Sequence, residues 1–116
     1  MKVREDRQDG VLLLYLEGGD CLDCSTAADI RSQVLERIDG GSDVVMDLSR
    51  VQFVDSAGLG VLIGVFKATR RNGRKARFAG VRPEVNHIME IIHLNRILEL
   101  SPNVASAITE LGEQPV

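Results

Sequence analysis

Asp55-Ser56 stands where a short apolar run gives way to Ala57-Gly58-Leu59-Gly60. A serine hydroxyl at such a junction can attack as a nucleophile or cap a helix. Val54 to Gly58 resembles a nucleophile elbow, but Val54 replaces the first glycine of G-x-S-x-G. His87 and His93 lie six positions apart, so they project from different sides of one helix. The spacing leaves open that one of them reaches Ser56. The chain is short for a hydrolase sheet, however, and no catalytic residue is expected. Cys21-Leu22-Asp23-Cys24 forms a C-x-x-C before a predicted helix, whose N-terminus can lower a thiol pKa. No second pair completes four zinc ligands, so two reduced thiols and no metal are expected. Gly58-x-Gly60 followed by Gly64 lacks dinucleotide spacing, and no Gly-Lys-Ser/Thr marks a P-loop. No nucleotide or other cofactor is expected in this chain.

The elements around Ser56 are readable from periodicity. Asp43 to Leu48 reads as a buried strand, 49–54 as a connection, and Ser56 to Asn72-Gly73 as a helix. Leu59, Leu62, Ile63 and Phe66 mark its apolar face, which makes Ser56 the N-cap candidate. Lys67, Arg70 and Arg71 suit the negative pole of the helix dipole, and Gly73 suits C′. Ala57, Gly60, Gly64 and Ala68 form a second, narrow stripe. Two glycines inside a helix cost about 1–2 kcal/mol relative to alanine. The stripe therefore serves either close packing within the domain or a bump-free surface for another protein.

The remaining chain alternates strands and helices. Lys2 to Arg7 is polar apart from Val3 and reads as an edge strand, with a hairpin turn at Gln8-Asp9-Gly10. Val11 to Leu16 is apolar throughout, as a central strand is. Gly18-Gly19-Asp20 breaks it. Ser25 or Thr26 caps a helix carrying Ala27, Ile30, Val34 and Ile38, and Thr26 with Asp29 resembles a capping box. That helix stops at Asp39-Gly40-Gly41. Lys75 to Ala79 is a further strand, and Pro83 opens a helix with Val85, Ile88, Met89 and Ile92 on one face. Arg96 to Leu100 reads as a short strand, and Val104, Ala107, Ile108 and Leu111 mark a last helix ending before Gly112.

The predicted architecture is α/β: one domain over 1–116, with a mixed sheet of about four to five strands backed by about four helices. Its core is expected over 3–110, with a flexible tail at 112–116. At 116 residues and 44% hydrophobic, the chain suffices for one core. A net charge of −3 gives no basic footprint for nucleic acid. No run approaches the roughly 18–20 apolar residues of a membrane span, and the amino terminus lacks a secretory h-region. A cytoplasmic protein is expected.

Val54-Asp55-Ser56-Ala57-Gly58-Leu59-Gly60-Val61-Leu62, preceded by Val45-Met46-Asp47-Leu48, resembles the signature of STAS-domain anti-sigma factor antagonists. The resemblance covers nearly the whole chain. It implies that Ser56 is phosphorylated by the partner, an anti-sigma factor that is also a serine kinase and holds the ATP. It further implies a phosphatase acting on phospho-Ser56, and a partner surface of Asp23, Asp55, Ser56, Ala57, Gly58, Leu59, Gly60 and Gly64. The chain departs from the family where Gly19-Asp20-Cys21 intervenes between Gly18 and Leu22-Asp23, an apparent two-residue insertion into the usual Gly-x-Leu-Asp turn. A STAS scaffold, or an accessory subunit of a signalling assembly or transporter, is the alternative reading.

Overall fold

The computed structural model describes residues 1–113. Its strands are β1 (Lys2–Gln8), β2 (Val11–Glu17), β3 (Cys21–Leu22), β4 (Val44–Asp47), β5 (Phe53–Val54), β6 (Ala76–Ala79) and β7 (Glu99–Ser101). Its helices are α1 (Ala27–Arg37), α2 (Ser56–Arg71), α3 (Pro83–Ile91) and α4 (Val104–Glu113). Five strands form one sheet in the order β1-β2-β4-β6-β7, with β1 antiparallel and the others parallel. The expected mixed sheet and helical layers are present.

The alternation of strand side chains explains the layering. Leu12, Leu14 and Leu16 of β2 point into a large core with Ile30 and Val34 of α1, Leu62 and Val65 of α2, and Met89 of α3. Val11 and Leu13 point the other way, into a smaller core closed by Ala107 and Leu111 of α4. A strand buried on both faces has to read as a continuous apolar run. The β1–β2 hairpin turns through Asp9 and Gly10, at φ 53° and 78°, as a two-residue turn matching strand twist requires. Its outer strand is charged and exposed except at Val3, which suits an open sheet edge.

On the outer face, Arg77 of β6 fixes α4. Its side chain is only 11% exposed, donates to Ser101 Oγ at 2.7 Å and Glu99 at 2.6 Å, and also pairs with Glu110. At the end of α2, Gly73 takes φ 70°, and Arg74 N–H and Gly73 N–H donate to the carbonyls of Thr69 and Arg70. This closes the helix with the expected glycine at C′.

Several local readings are corrected. Thr26 stands at the N-cap of α1 without a side-chain capping bond; its hydroxyl oxygen instead accepts from Asp23 N–H at 3.1 Å while donating to the Cys21 carbonyl. No capping box forms. The strand expected over Arg96 to Leu100 is present but starts later: Leu94–Arg96 is a 3-10 turn, and β7 runs Glu99–Ser101. Ile92 lies beyond the end of α3 and is half exposed, since the chain leaves the helix before that position reaches the core. α4 continues through Gly112 to Glu113, so only 114–116 of the expected tail remain, outside the described residues. A pair of two-residue strands, β3 with β5, was not foreseen.

Phe78 is fully buried in the main core, so Phe78→Ala should lower unfolding free energy by about 3–5 kcal/mol. Ile97 is 55% exposed, and Ile97→Ala should change it by less than about 0.5 kcal/mol. Urea unfolding followed by circular dichroism reads both, and equal losses would contradict the core assignment.

Candidate functional site

The site begins with a helix cap, and the capping residue is Asp55 rather than the expected Ser56. Asp55 adopts extended backbone, and its Oδ1 accepts from Gly58 N–H at 2.9 Å. Its Oδ2 accepts from Cys24 N–H, also at 2.9 Å, across 31 positions of sequence. A carboxylate is the better cap here because it answers two donors at once and its charge faces the positive end of α2. Ser56 is thereby displaced to the first helical position, where it is exposed.

The segment brought beside Ser56 is the Cys21–Thr26 loop, held by β3 pairing with β5 in parallel. Asp23 is partly exposed and folded onto its own turn. Its Oδ1 accepts from Ser25 Oγ at 2.6 Å and Ser25 N–H at 2.9 Å. These bonds, led by the Ser25 hydroxyl, hold the Asp23 carboxyl below its usual pKa range. Cys21 behaves oppositely. Its thiol donates to the Asp20 carboxylate at 3.3 Å, and that bond, burial and the charges of Asp20 and Asp23 push its pKa up. Both cysteines are free thiols, and Cys21 is disfavoured as a thiolate nucleophile.

The glycines divide into two kinds. A Cβ on Gly58 would fall 1.9 Å from the Leu22 carbonyl oxygen and 2.9 Å from its carbon. Only glycine lets the first turn of α2 meet this backbone. Gly60 has nothing within 4 Å of such an atom, and Gly64 meets only Arg31 Nε at 3.6 Å. Close packing therefore explains Gly58 and not the Gly60/Gly64 stripe. That stripe, with Ala57, floors an open groove of about 430 Å³ between α1 and α2, flanked by Arg31 and Lys67.

Of the expected contact residues, Ser56 and Gly60 are exposed, while Asp23, Asp55, Ala57 and Gly64 are partly exposed. Gly58 and Leu59 are buried and present little surface; they shape the helix start from within. Arg31 and Lys67 were not singled out for this face. Arg31 was visible only as a polar position in a helical pattern, with no signal of the groove it borders. His87 and His93 are both exposed, and among the described residues neither hydrogen-bonds Ser56.

Gly58→Ala should cost well over the roughly 1 kcal/mol that alanine ordinarily gains over glycine in a helix, reversing its sign. Gly60→Ala, with open space for its methyl, should stabilise by about 0.4–1 kcal/mol. Thermal and urea unfolding of the two variants test the division, and similar shifts of one sign would overturn it.

Residues 2–107 match the family model of the STAS domain. The chain is 31% identical over 113 residues to an anti-sigma F factor antagonist of Paenibacillus polymyxa, covering 96% of this chain and 95% of that one. An anti-sigma factor antagonist from Mycobacterium paratuberculosis has a similar structure, with TM-score 0.84 at 21% identity over 96% of this chain and 93% of that one. The fold is also shared with the anti-sigma factor antagonist SpoIIAA in its unphosphorylated form, at TM-score 0.75 and 17% identity over 98% and 99% of the two chains. The phosphorylated form of this Bacillus protein gives a TM-score of 0.67 at 17% identity over 93% and 97%. A match over nearly the full length, on a fold whose first α2 turn is built around Asp55 and Gly58, makes this chain a member of the STAS domain family.

Proposed function

We propose that this chain is an anti-sigma factor antagonist whose binding to an anti-sigma factor is switched off by phosphorylation of Ser56. One observation carries the reading: Ser56 is exposed at the start of α2 while Asp55 performs the capping that would otherwise occupy its hydroxyl. The names of the relatives supply the partner class. An enzyme activity of this chain is not part of the reading.

In the unmodified state, Ser56 and the open Gly60/Gly64 groove form a smooth surface on which the anti-sigma factor docks, freeing the sigma factor. The anti-sigma factor is also the kinase and holds the ATP. Ser56 Oγ attacks the γ-phosphorus, the bond to ADP breaks, and the hydroxyl proton passes to a base on the kinase. The product carries roughly 1.5–2 additional negative charges. Within the chain this is tolerated, because first-turn N–H groups and the dipole favour an anion at a helix N-terminus. Toward the partner it adds bulk and repulsion beside the Asp55 carboxylate. The fold persists and the complex is lost. A phosphatase acting on phospho-Ser56 restores the binding form.

Losing about 3–4 kcal/mol at the interface weakens binding several-hundred-fold, enough for a binary response. Ser56→Ala should therefore bind an anti-sigma kinase like the parent and take up no phosphate, whereas Ser56→Glu should bind several-hundred-fold more weakly. Calorimetric titration and mass mapping after incubation with ATP read both, and parental affinity in Ser56→Glu would sink the proposal. Gly64→Leu should fill the groove and weaken docking by about tenfold or more, with a circular dichroism spectrum close to parental. Loss of folding in that variant would return Gly64 to a packing role.

A further inference from the structure

The far end of α2 carries a second surface. Arg70, Arg71, Arg74 and Lys75 place four cations and no acid in six consecutive positions of a chain whose net charge is −3. All four are exposed. None forms an ion pair with another described residue, nor do Lys2, Arg31, Lys67 and Arg96, whereas Arg4, Arg7, Arg37, Arg50, Arg77 and Arg82 do. Positive charge is thus concentrated around the C-terminal end of α2, where the helix dipole favours cations.

Beside it runs a groove of about 410 Å³ between the end of α2 and the start of β6. Phe66, Ala76 and Ile97 give it apolar walls, and Arg70, Arg74 and Lys75 give it a cationic rim. Ile97 is 55% exposed, and Arg70 lies over the Phe66 ring at 5.8 Å. Glu99 also borders the groove, with its carboxylate engaged by Arg77. Phe66 and Arg70 stand ten and fourteen positions after Ser56, so at 1.5 Å per residue the groove lies roughly 15–21 Å along α2 from it.

We infer that this groove docks an acidic, amphipathic segment of a partner protein, with an apolar side chain between Phe66 and Ile97 and carboxylates on Arg70, Arg74 and Lys75. Charge complementarity selects an anion. The half-exposed Ile97 beside Phe66 selects a protein segment over a nucleic-acid backbone, which offers phosphate along its length and little aliphatic surface. Cationic side chains at the rim would speed encounter, and the apolar anchor would set the lifetime of the complex. The surface is separate from Ser56, so the inference stands whether or not the phosphorylation reading does.

The test uses the full chain and a synthetic amphipathic peptide of about fourteen residues with Leu on one face and Glu on the other, as groove-binding helices have. A matched peptide with Gln for Glu and a poly-dT oligonucleotide serve as comparators. Binding should shift the backbone amide resonances of Gly73 to Ala76 and Ile97. Ile97→Asp, and separately the pair Arg70→Glu with Arg74→Glu, should each weaken the Leu/Glu peptide about tenfold or more. Lys2→Glu with Arg50→Glu, an equal change of four charge units elsewhere on the surface, should leave affinity within about twofold. The inference is overturned if the Gln peptide binds equally well, if the oligonucleotide binds more tightly, or if Ile97→Asp has no effect. It is likewise overturned if the chain self-associates through this face and Ile97→Asp abolishes that association.

Discussion

The Asp55 carboxylate is the interaction on which the functional end of this protein depends. One oxygen holds the first turn of α2 through Gly58 N–H, and the other holds the loop ahead of α1 through Cys24 N–H. A side chain with a single acceptor oxygen would leave one of these backbone donors without its carboxylate partner. Gly58 is the complement of this bond, since the clamp closes only if the helix backbone can approach Leu22 without a side chain between them. Together they give Ser56 a fixed position on a rigid element, while asking nothing of its hydroxyl.

That separation of labour is what the proposed phosphorylation of Ser56 requires of a stable domain. Had Ser56 been the cap, esterifying it would have removed a hydrogen bond commonly worth about 1 kcal/mol to the helix. With Asp55 in that role, chemistry at Ser56 alters the surface and spares the interior. The same helix spreads its electrostatics unevenly, with a carboxylate at its start and a cationic cluster at its end. Both placements suit the dipole.

The layers of the fold were legible because their signals are long. Val11 to Leu16, Val44 to Asp47 and the periodic residues of α2 each repeat one pattern over several positions, and Asp9-Gly10 and Pro83 mark particular turns. What stayed hidden depends on distant partners. Asp55 and Ser56 are both good caps by type, and the choice between them involves an amide 31 positions away. β3 and β5 are two residues each, too short to show any period. Thr26 and Asp29 satisfy a capping pattern, yet the Thr26 hydroxyl oxygen accepts from Asp23 N–H in the loop ahead of the helix. Gly58, Gly60 and Gly64 look alike in sequence, and only the Leu22 backbone tells the first from the other two.

The two-sided burial of β2 carries a consequence for how the chain finds its own register. A strand apolar on one face is corrected if it slips by one residue, because a slip turns greasy side chains to water. β2 has no such check, since Leu12, Leu14 and Leu16 would exchange places with Val11, Leu13 and Tyr15, nearly as apolar a set. Alignment must instead be imposed from outside the strand, by the tightness of the Asp9-Gly10 reversal and by Val3, the single buried residue of β1. The hairpin is thus the ruler against which the rest of the sheet is measured. Lengthening it by one residue would set that ruler against the packing of Val3 and bring Tyr15 toward a fully buried site.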